Sequence, residues 1–210
     1  MKKVIVLDLD GTIIDFSIRS YQCYLHCLRS LGIHKQLDLL TYWGLKRARI
    51  QTATILGENS HQIGDFHKLW METIENIEFL DYDNLFPGIF TWLQRATSHH
   101  DILLVTRRRL RSNLLTELER LKISSFFKNV INFDDNRSKA QLLSNQSEFP
   151  FYSFAFWVGD TEEDILAARE LGITSIGLTC GVRNEEVLEL YCPDSVASFL
   201  SEVSLPGFDC

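Results

Sequence analysis

Three stretches of this 210-residue chain end an apolar run on groups that could do chemistry. Val4-Ile5-Val6-Leu7 stops at Asp8-Leu9-Asp10-Gly11-Thr12, Leu103-Leu104-Val105 stops at Thr106, and Phe154-Ala155-Phe156-Trp157-Val158 stops at Gly159-Asp160-Thr161. In an extended strand successive side chains alternate faces with a rise of about 3.3 Å. Asp8 and Asp10 therefore share a face, roughly 6.6 Å apart, and Leu9 takes the other. Two like charges at the mouth of a buried strand repel unless a proton or a cation lies between them. A hard divalent cation with oxygen ligands is the natural neutraliser, and Asp160 adds a third carboxylate to the need. Mg²⁺ takes one or two protein carboxylates and keeps several waters, sharing the rest of its shell with a substrate phosphate.

A carboxylate can attack phosphorus to give an aspartyl-phosphate. A second carboxylate two residues on can hand a proton to the leaving oxygen and later take one from water. Each further signal, taken singly, also has a plainer explanation. Asp10-Gly11 suits a turn, and Thr106 suits a strand end, although its hydroxyl can donate to a phosphoryl oxygen. Arg107, Arg108, Arg109 and Arg111 read as a solvated basic loop ahead of a substrate clamp. Lys139 stands beside Ser138, a helix-cap residue, where the helix dipole disfavours a cation. A point charge held against phosphate explains it; so does an ordinary exposed lysine. Thr161-Glu162-Glu163-Asp164 reads as a capping box, which accounts for Asp164 without chemistry. The order of these residues, and their places at strand ends, carry the argument.

The elements that must position them follow from periodicity. From residue 87 onward, apolar runs too short for helices alternate with helical stripes. Strands are expected at 101–106, 130–133, 154–158 and 174–178, and the first strand is 2–8. Helices are expected over Ile89–Ala96, Leu110–Leu121, Ser138–Leu143, Thr161–Gly172 and from Asn184. Continuous apolar strands are buried on both faces. The pattern predicts an α/β fold, a doubly wound parallel sheet, whose ligand crevice lies beyond the carboxyl ends of the strands. Residues 17–80 read as helical throughout. One stripe is Ile18, Tyr21, Leu25, Leu28 and Leu31, capped by Gly32. A second helix runs from Leu45 to Leu56, closed by Gly57. A third carries Ile63, Phe66, Trp70, Ile74 and Ile77 on one face. This block is an insert after the first strand. It divides the chain into an α/β core of residues 1–16 and 84–210 and a helical cap of 17–83. Trp43 and Trp70 read as core of a small bundle. Lys46, Arg47 and Arg49 could bind an anionic substrate tail, though surface solvation explains them equally.

The totals narrow the classes of function. A net charge of −7 and a pI near 5.4 argue against a broad nucleic-acid footprint, which needs a basic surface. A small anionic substrate needs only a local cluster of cations. No uninterrupted apolar stretch is long enough for a membrane span, and Asp8 and Asp10 interrupt the N-terminal run, so no secretory signal is expected. The five cysteines form no CxxC pair, and Cys23 and Cys27 share a helix face. Free thiols in a reducing cytoplasm fit that usage.

With those residues in order, the chain resembles the haloacid dehalogenase superfamily, in its phosphoglycolate phosphatase-like branch. Asp8-Leu-Asp-Gly-Thr12 resembles the family's first motif, Thr106 its second, Lys139 its third, and Gly159-Asp160-Thr-Glu-Glu-Asp164 its fourth. The resemblance implies a magnesium-dependent phosphatase acting on a small phosphorylated metabolite. Asp8 is then the nucleophile and Asp10 the general acid/base. Mg²⁺ would be held by Asp8, the Asp10 backbone carbonyl and Asp160, with Asp164 supporting. Thr106, Arg107 and Lys139 would contact the phosphoryl group, and the helical insert would be the family's cap. A small or amide residue is more usual where Arg107 stands. Family members that cleave carbon–halogen or carbon–phosphorus bonds lack an acid at the position of Asp10, so its presence favours phosphate esters. A sugar-phosphate mutase of the same fold and a catalytically silent binding protein are the rival readings.

Overall fold

The computed structural model describes residues 3–133 and 137–205. Cys210 lies outside them. The described chain runs β1 (Lys3–Leu7), β2 (Ile14–Asp15), α1 (Ser17–Ser30), α2 (Leu39–Arg47), α3 (Thr52–Leu56), α4 (Ile63–Thr73) and α5 (Ile77–Leu80). It continues through β3 (Asn84–Leu85), α6 (Ile89–His99), β4 (His100–Thr106), α7 (Arg111–Arg120), β5 (Asn129–Asn132) and α8 (Lys139–Ser144). The last elements are β6 (Phe154–Gly159), α9 (Glu162–Glu170), β7 (Ser175–Leu178), α10 (Glu185–Glu189) and β8 (Ser195–Ala197).

The main sheet has the order β5-β4-β1-β6-β7-β8, and every pairing in it is parallel. Both faces are covered, which is why its strands are apolar runs. Ile5 and Leu7 pack with Ile102, Leu104, Phe156 and Val158 under α6 and α7. Val4 and Val6 pack with Leu103, Val105 and Trp157 under α8 and α9. The doubly wound α/β architecture is as expected. β8 was not legible, because it is only three residues, Ser195-Val196-Ala197, and holds no apolar run.

β1 is followed by β4 on one side and β6 on the other. The order reverses there, and such a switch point opens a crevice at the strands' carboxyl ends. The helical insert leaves and rejoins the sheet through a short antiparallel ribbon in which Ile14 pairs with Leu85 and Asp15 with Asn84. Its own core gathers Cys23, Tyr24, Cys27, Leu28, Tyr42, Leu56 and Phe66.

Three details of the insert differ from expectation. The buried face of α1 is Arg19, Ser20, Cys23, Tyr24, Cys27 and Leu28, whereas Ile18 is exposed. An inward arginine rotates the helix away from its most apolar stripe. The expected Leu45–Leu56 helix is two helices. At the end of the first of them the chain reaches across to the core, where the Asn184 N–H donates to the Arg47 carbonyl. The third stripe breaks before Ile77, because the Glu75 carboxylate accepts the backbone N–H of Arg109 and of Leu110. Trp43 and Trp70 do pack against the insert's core. No described helix is long and apolar enough to cross a membrane.

Candidate active site

The switch point collects the residues singled out by the sequence. Asp8 and Asp10 follow β1, Thr106 ends β4, Asp160 follows β6, and Asp164 lies in the first turn of α9. Lys139 opens α8. That helix is fixed by a full capping box: the Ser138 hydroxyl accepts the Gln141 N–H, and the Gln141 side chain accepts the Ser138 N–H. The cap turns Lys139 inward, where it is 3% exposed, so the exposed-lysine reading is wrong.

The Lys139 ammonium bridges two acids, 2.7 Å from Asp8 Oδ1 and 2.8 Å from Asp164 Oδ1. Asp164 also accepts from the Trp157 indole N–H at 3.2 Å and from the Thr161 hydroxyl at 2.6 Å. The expected capping box at Thr161 is therefore replaced by a side-chain-to-side-chain bond, and Asp164 faces the site. Asp160 Oδ2 accepts the Val182 N–H at 2.6 Å, while its buried Oδ1 has no hydrogen-bond partner. Ligand oxygens of Asp8, Asp160 and Asp164 all lie within 4.8 Å of one another.

The glycines around this cluster are steric necessities. A Cβ at Gly11 or at Gly181 would lie 2.0 Å from Asp160 Oδ2, and one at Gly159 would lie 2.1 Å from Asp164 Cγ. Gly11 also has a φ of +78°, which other residues rarely adopt.

Three carboxylates against one ammonium leave uncompensated charge. Burial, opposed by Lys139 and reinforced by Asp164, pushes the Asp8 carboxyl up to about 7. Burial, then the charges of Asp8 and Asp164, raises Asp160 well above the carboxylate range. Lys139 is held charged, because its two acids outweigh its burial. An all-oxygen donor set, one buried donor of which is orphaned, fits a hard divalent cation such as Mg²⁺.

Asp10 has a different setting. Its carboxylate faces two guanidinium groups. Arg108 donates through Nε at 2.5 Å and Nη2 at 2.8 Å, and Arg19 donates through Nη2. Arg19 and Arg108 also each lie 3.2 Å from Asp83 Oδ2, and Arg108 lies 3.1 Å from Glu117 Oε2. Burial alone would raise Asp10, but Arg108 and then Arg19 hold it well below the usual carboxylate range. Asp83 goes the other way: burial, partly offset by Arg19 and reinforced by the Glu117 carboxyl, pushes it up to about 9. Sequence reading missed this network. Its one outward signal was the arginine run, read as a solvated loop. That reading fails for Arg108, which is 4% exposed.

The rest of the run is also anchored. Arg107 makes a fork with the Glu163 carboxylate at 2.9 and 3.2 Å and lies over the Phe133 ring at 4.7 Å. The Arg109 guanidinium lies 3.4 Å from Glu75, and Arg111 reaches Asn132 and the Val130 carbonyl. Thr106 is buried. It lines a cavity of about 270 Å³ together with Asp8, Asp10, Arg107, Lys139 and Arg183. The structure thus brings Asp8, Asp10, Thr106, Arg107 and Lys139 onto one cavity, with Asp160 and Asp164 against Asp8. It sets the Asp10 carboxylate apart from the other three.

Of the expected tail-binding cations, Arg47 donates to the Thr179 carbonyl, and Arg49 pairs with Glu162 and bonds the Tyr191 hydroxyl. The Lys46 ammonium has no carboxylate or hydrogen-bond partner among the described residues and lies 5.6 Å from the Trp70 ring.

Comparison with known proteins agrees with this architecture. The family model described as Haloacid dehalogenase-like hydrolase matches residues 5–178, and the chain belongs to that family. It is 24% identical to phosphoglycolate phosphatase from Photorhabdus laumondii, over 98% of this chain and 94% of that one. It is 23% identical to pyrophosphatase PpaX from Anoxybacillus flavithermus, over 95% and 94%. A haloacid dehalogenase-like family hydrolase from Streptococcus pneumoniae superposes with a TM-score of 0.76 at 25% identity, covering 94% of each chain.

Proposed function

We propose that this protein is a Mg²⁺-dependent phosphatase that hydrolyses a small cytosolic phosphomonoester through an aspartyl-phosphate on Asp8. The observation that carries the reading is the convergence of Asp8, Asp160 and Asp164 at the switch point around a buried, unpartnered Asp160 oxygen. The name of its phosphoglycolate phosphatase relative supports a phosphomonoester, and that of its pyrophosphatase relative supports a small phosphorylated substrate more broadly.

Asp8, Asp160 and the Asp10 carbonyl would hold the metal, with Asp164 supporting them. When bound, the ion offsets charge on the phosphoryl oxygens and on Asp8. An Asp8 oxygen attacks phosphorus, the ester P–O bond breaks, and its electron pair leaves with the alkoxide oxygen, which takes the proton of the protonated Asp10 carboxyl. Water then attacks the same phosphorus. The Asp8–phosphorus bond breaks, restoring the carboxylate, and the water proton passes to Asp10. The two guanidinium groups favour ionised Asp10, the form it reaches on giving up that proton and in which it accepts one from water. Lys139, Thr106 and Arg107 would steady the phosphoryl oxygens. Residues 17–83 would act as the cap over a core of 1–16 and 84–210, excluding water when closed.

The test is turnover of p-nitrophenyl phosphate. Release of p-nitrophenolate should require Mg²⁺, stop on chelation, and fall by about 10³-fold or more in Asp8→Asn. Metal-independent turnover, or full activity in Asp8→Asn, would overturn the assignment.

A further inference from the structure

The helical insert contains a second cavity, of about 380 Å³, that the chemistry above does not use. A ligand-sized pocket begins at about 300 Å³. Its walls are mostly aromatic: Tyr24, Tyr42, Phe66 and Trp70, closed by Ile55 and Met71. These rings are already ordered. Tyr24 and Tyr42 stack with centroids 4.5 Å apart, and Phe66 and Trp70 stack at 6.0 Å. The tyrosine hydroxyls are committed elsewhere, Tyr42 to the Ser20 hydroxyl and Tyr24 to the Leu37 N–H, so the polar groups left on the lining are those of Lys46, Thr52 and His67.

The cavity lies near the reacting centre. Trp70 and Met71 also line a second hollow, which reaches Phe16, Arg107 and Asp10. Those three in turn line the cavity of Asp8, Thr106 and Lys139. On the other side, the Arg183 guanidinium lines the Asp8 cavity and donates to the Lys46 carbonyl. The aromatic cavity and the phosphate site are thus neighbours across an intervening hollow that shares lining residues with each.

One of the polar groups on the aromatic cavity's lining is a cation. The Lys46 ammonium lies over Trp70 with no anion or acceptor among the described residues, and burial together with Arg183 lowers its pKa. A purely aliphatic tail would fill the space and leave this cation unpaired, which is unfavourable. A flat ring carrying an oxygen acceptor satisfies both the stacked rings and the ammonium.

We propose that the leaving group of the physiological phosphomonoester carries a planar aromatic ring bearing a carbonyl or carboxylate oxygen, seated among Tyr24, Tyr42, Phe66 and Trp70 with that oxygen on Lys46. This rests on the phosphatase reading for its chemistry, but the ring site stands on its own cavity.

The test compares uridine 5′-monophosphate, phosphoglycolate and hexyl phosphate as substrates, with acetyl phosphate gauging the centre. The expected result is a kcat/KM at least tenfold higher for uridine 5′-monophosphate than for the other two esters. That ratio should fall tenfold or more in Lys46→Gln and in Trp70→Ala. Equal or greater turnover of phosphoglycolate or hexyl phosphate overturns the proposal, and so does a ratio unmoved by Lys46→Gln. If even acetyl phosphate is not hydrolysed, the phosphatase reading fails, and calorimetric binding to the wild-type chain decides this one. Tighter binding of uridine 5′-monophosphate than of phosphoglycolate, weakened tenfold by Lys46→Gln, supports it; equal affinities overturn it.

Discussion

At the residue, charge balance decides what each acid can do. Asp8 and Asp10 are two positions apart, yet one is buried with two other carboxylates and the other is held by two arginines. Their pKa values are driven in opposite directions, a separation that marks acid–base sites. Arg108 serves three acids at once, Asp10, Asp83 and Glu117. Removing one partner of a buried ionic group leaves uncompensated charge, which costs about 3–5 kcal/mol. Arg108→Met should therefore lower urea-unfolding stability by about that amount. Adding Glu117→Leu should recover part of the loss, because one stranded carboxylate then goes with its cation. Strict additivity of the two changes would show that the network is not coupled. None of this was readable from residue types: the arginine run gives four equivalent-looking side chains, and only the fold decides which one points inward.

At the scale of the element, helix starts and tight backbone place the groups that act. Ser138→Ala removes the capping box of α8 and should cost about 1 kcal/mol in unfolding free energy. Because Lys139 is the first residue of that helix, the substitution should also lower kcat; unchanged kcat would mean that the cap holds the fold but not the lysine. Gly181 offers a cleaner probe than Gly11, since its backbone is not left-handed and only the added methyl group matters. Gly181→Ala should push Asp160 aside and weaken Mg²⁺ activation about 10–100-fold, read as the metal concentration giving half-maximal rate. The strand ends were legible because the chemistry sits where apolar runs stop, and the run lengths matched β1, β4, β6 and β7. The insert was legible only as helix. The α1 stripe drawn through Ile18 and Leu25 misplaced its buried face, because Arg19 is drawn inward by Asp10 and Asp83, and periodicity counts only apolar residues. The α2–α3 break depends on contacts with residues more than 130 positions away, as between Arg47 and Thr179.

For the molecule as a whole, the carboxylate cluster links metal binding to stability and pH. Asp8 ionises near its ordinary value of 3.8 when unfolded and near 7 when folded. Between those values the folded chain holds a proton that the unfolded chain releases, so metal-free stability declines as pH rises through that window. Asp160 shifts in the same direction, and Asp83, raised to about 9, extends the decline upward. Asp10, Asp38 and Asp194 shift oppositely, but their contribution is complete once pH exceeds the ordinary carboxylate range. From pH 5 to 8 the raised acids therefore dominate, and the chelated protein should melt at a lower temperature at pH 8 than at pH 5.5. A bound divalent cation needs those oxygens deprotonated, so its affinity rises over the same range. At a concentration of Mg²⁺ about 100 times its dissociation constant, binding to the folded state adds about 2.7 kcal/mol. For a chain of this size that is a rise of roughly 5–10 °C. The rise should be near its full extent at pH 8 and much smaller at pH 5.5. Thermal unfolding with Mg²⁺ or chelator at the two pH values checks this, and Asp160→Asn should abolish the difference. A gain in melting temperature that is equal at both pH values would mean that the ion binds elsewhere than among Asp8, Asp160 and Asp164.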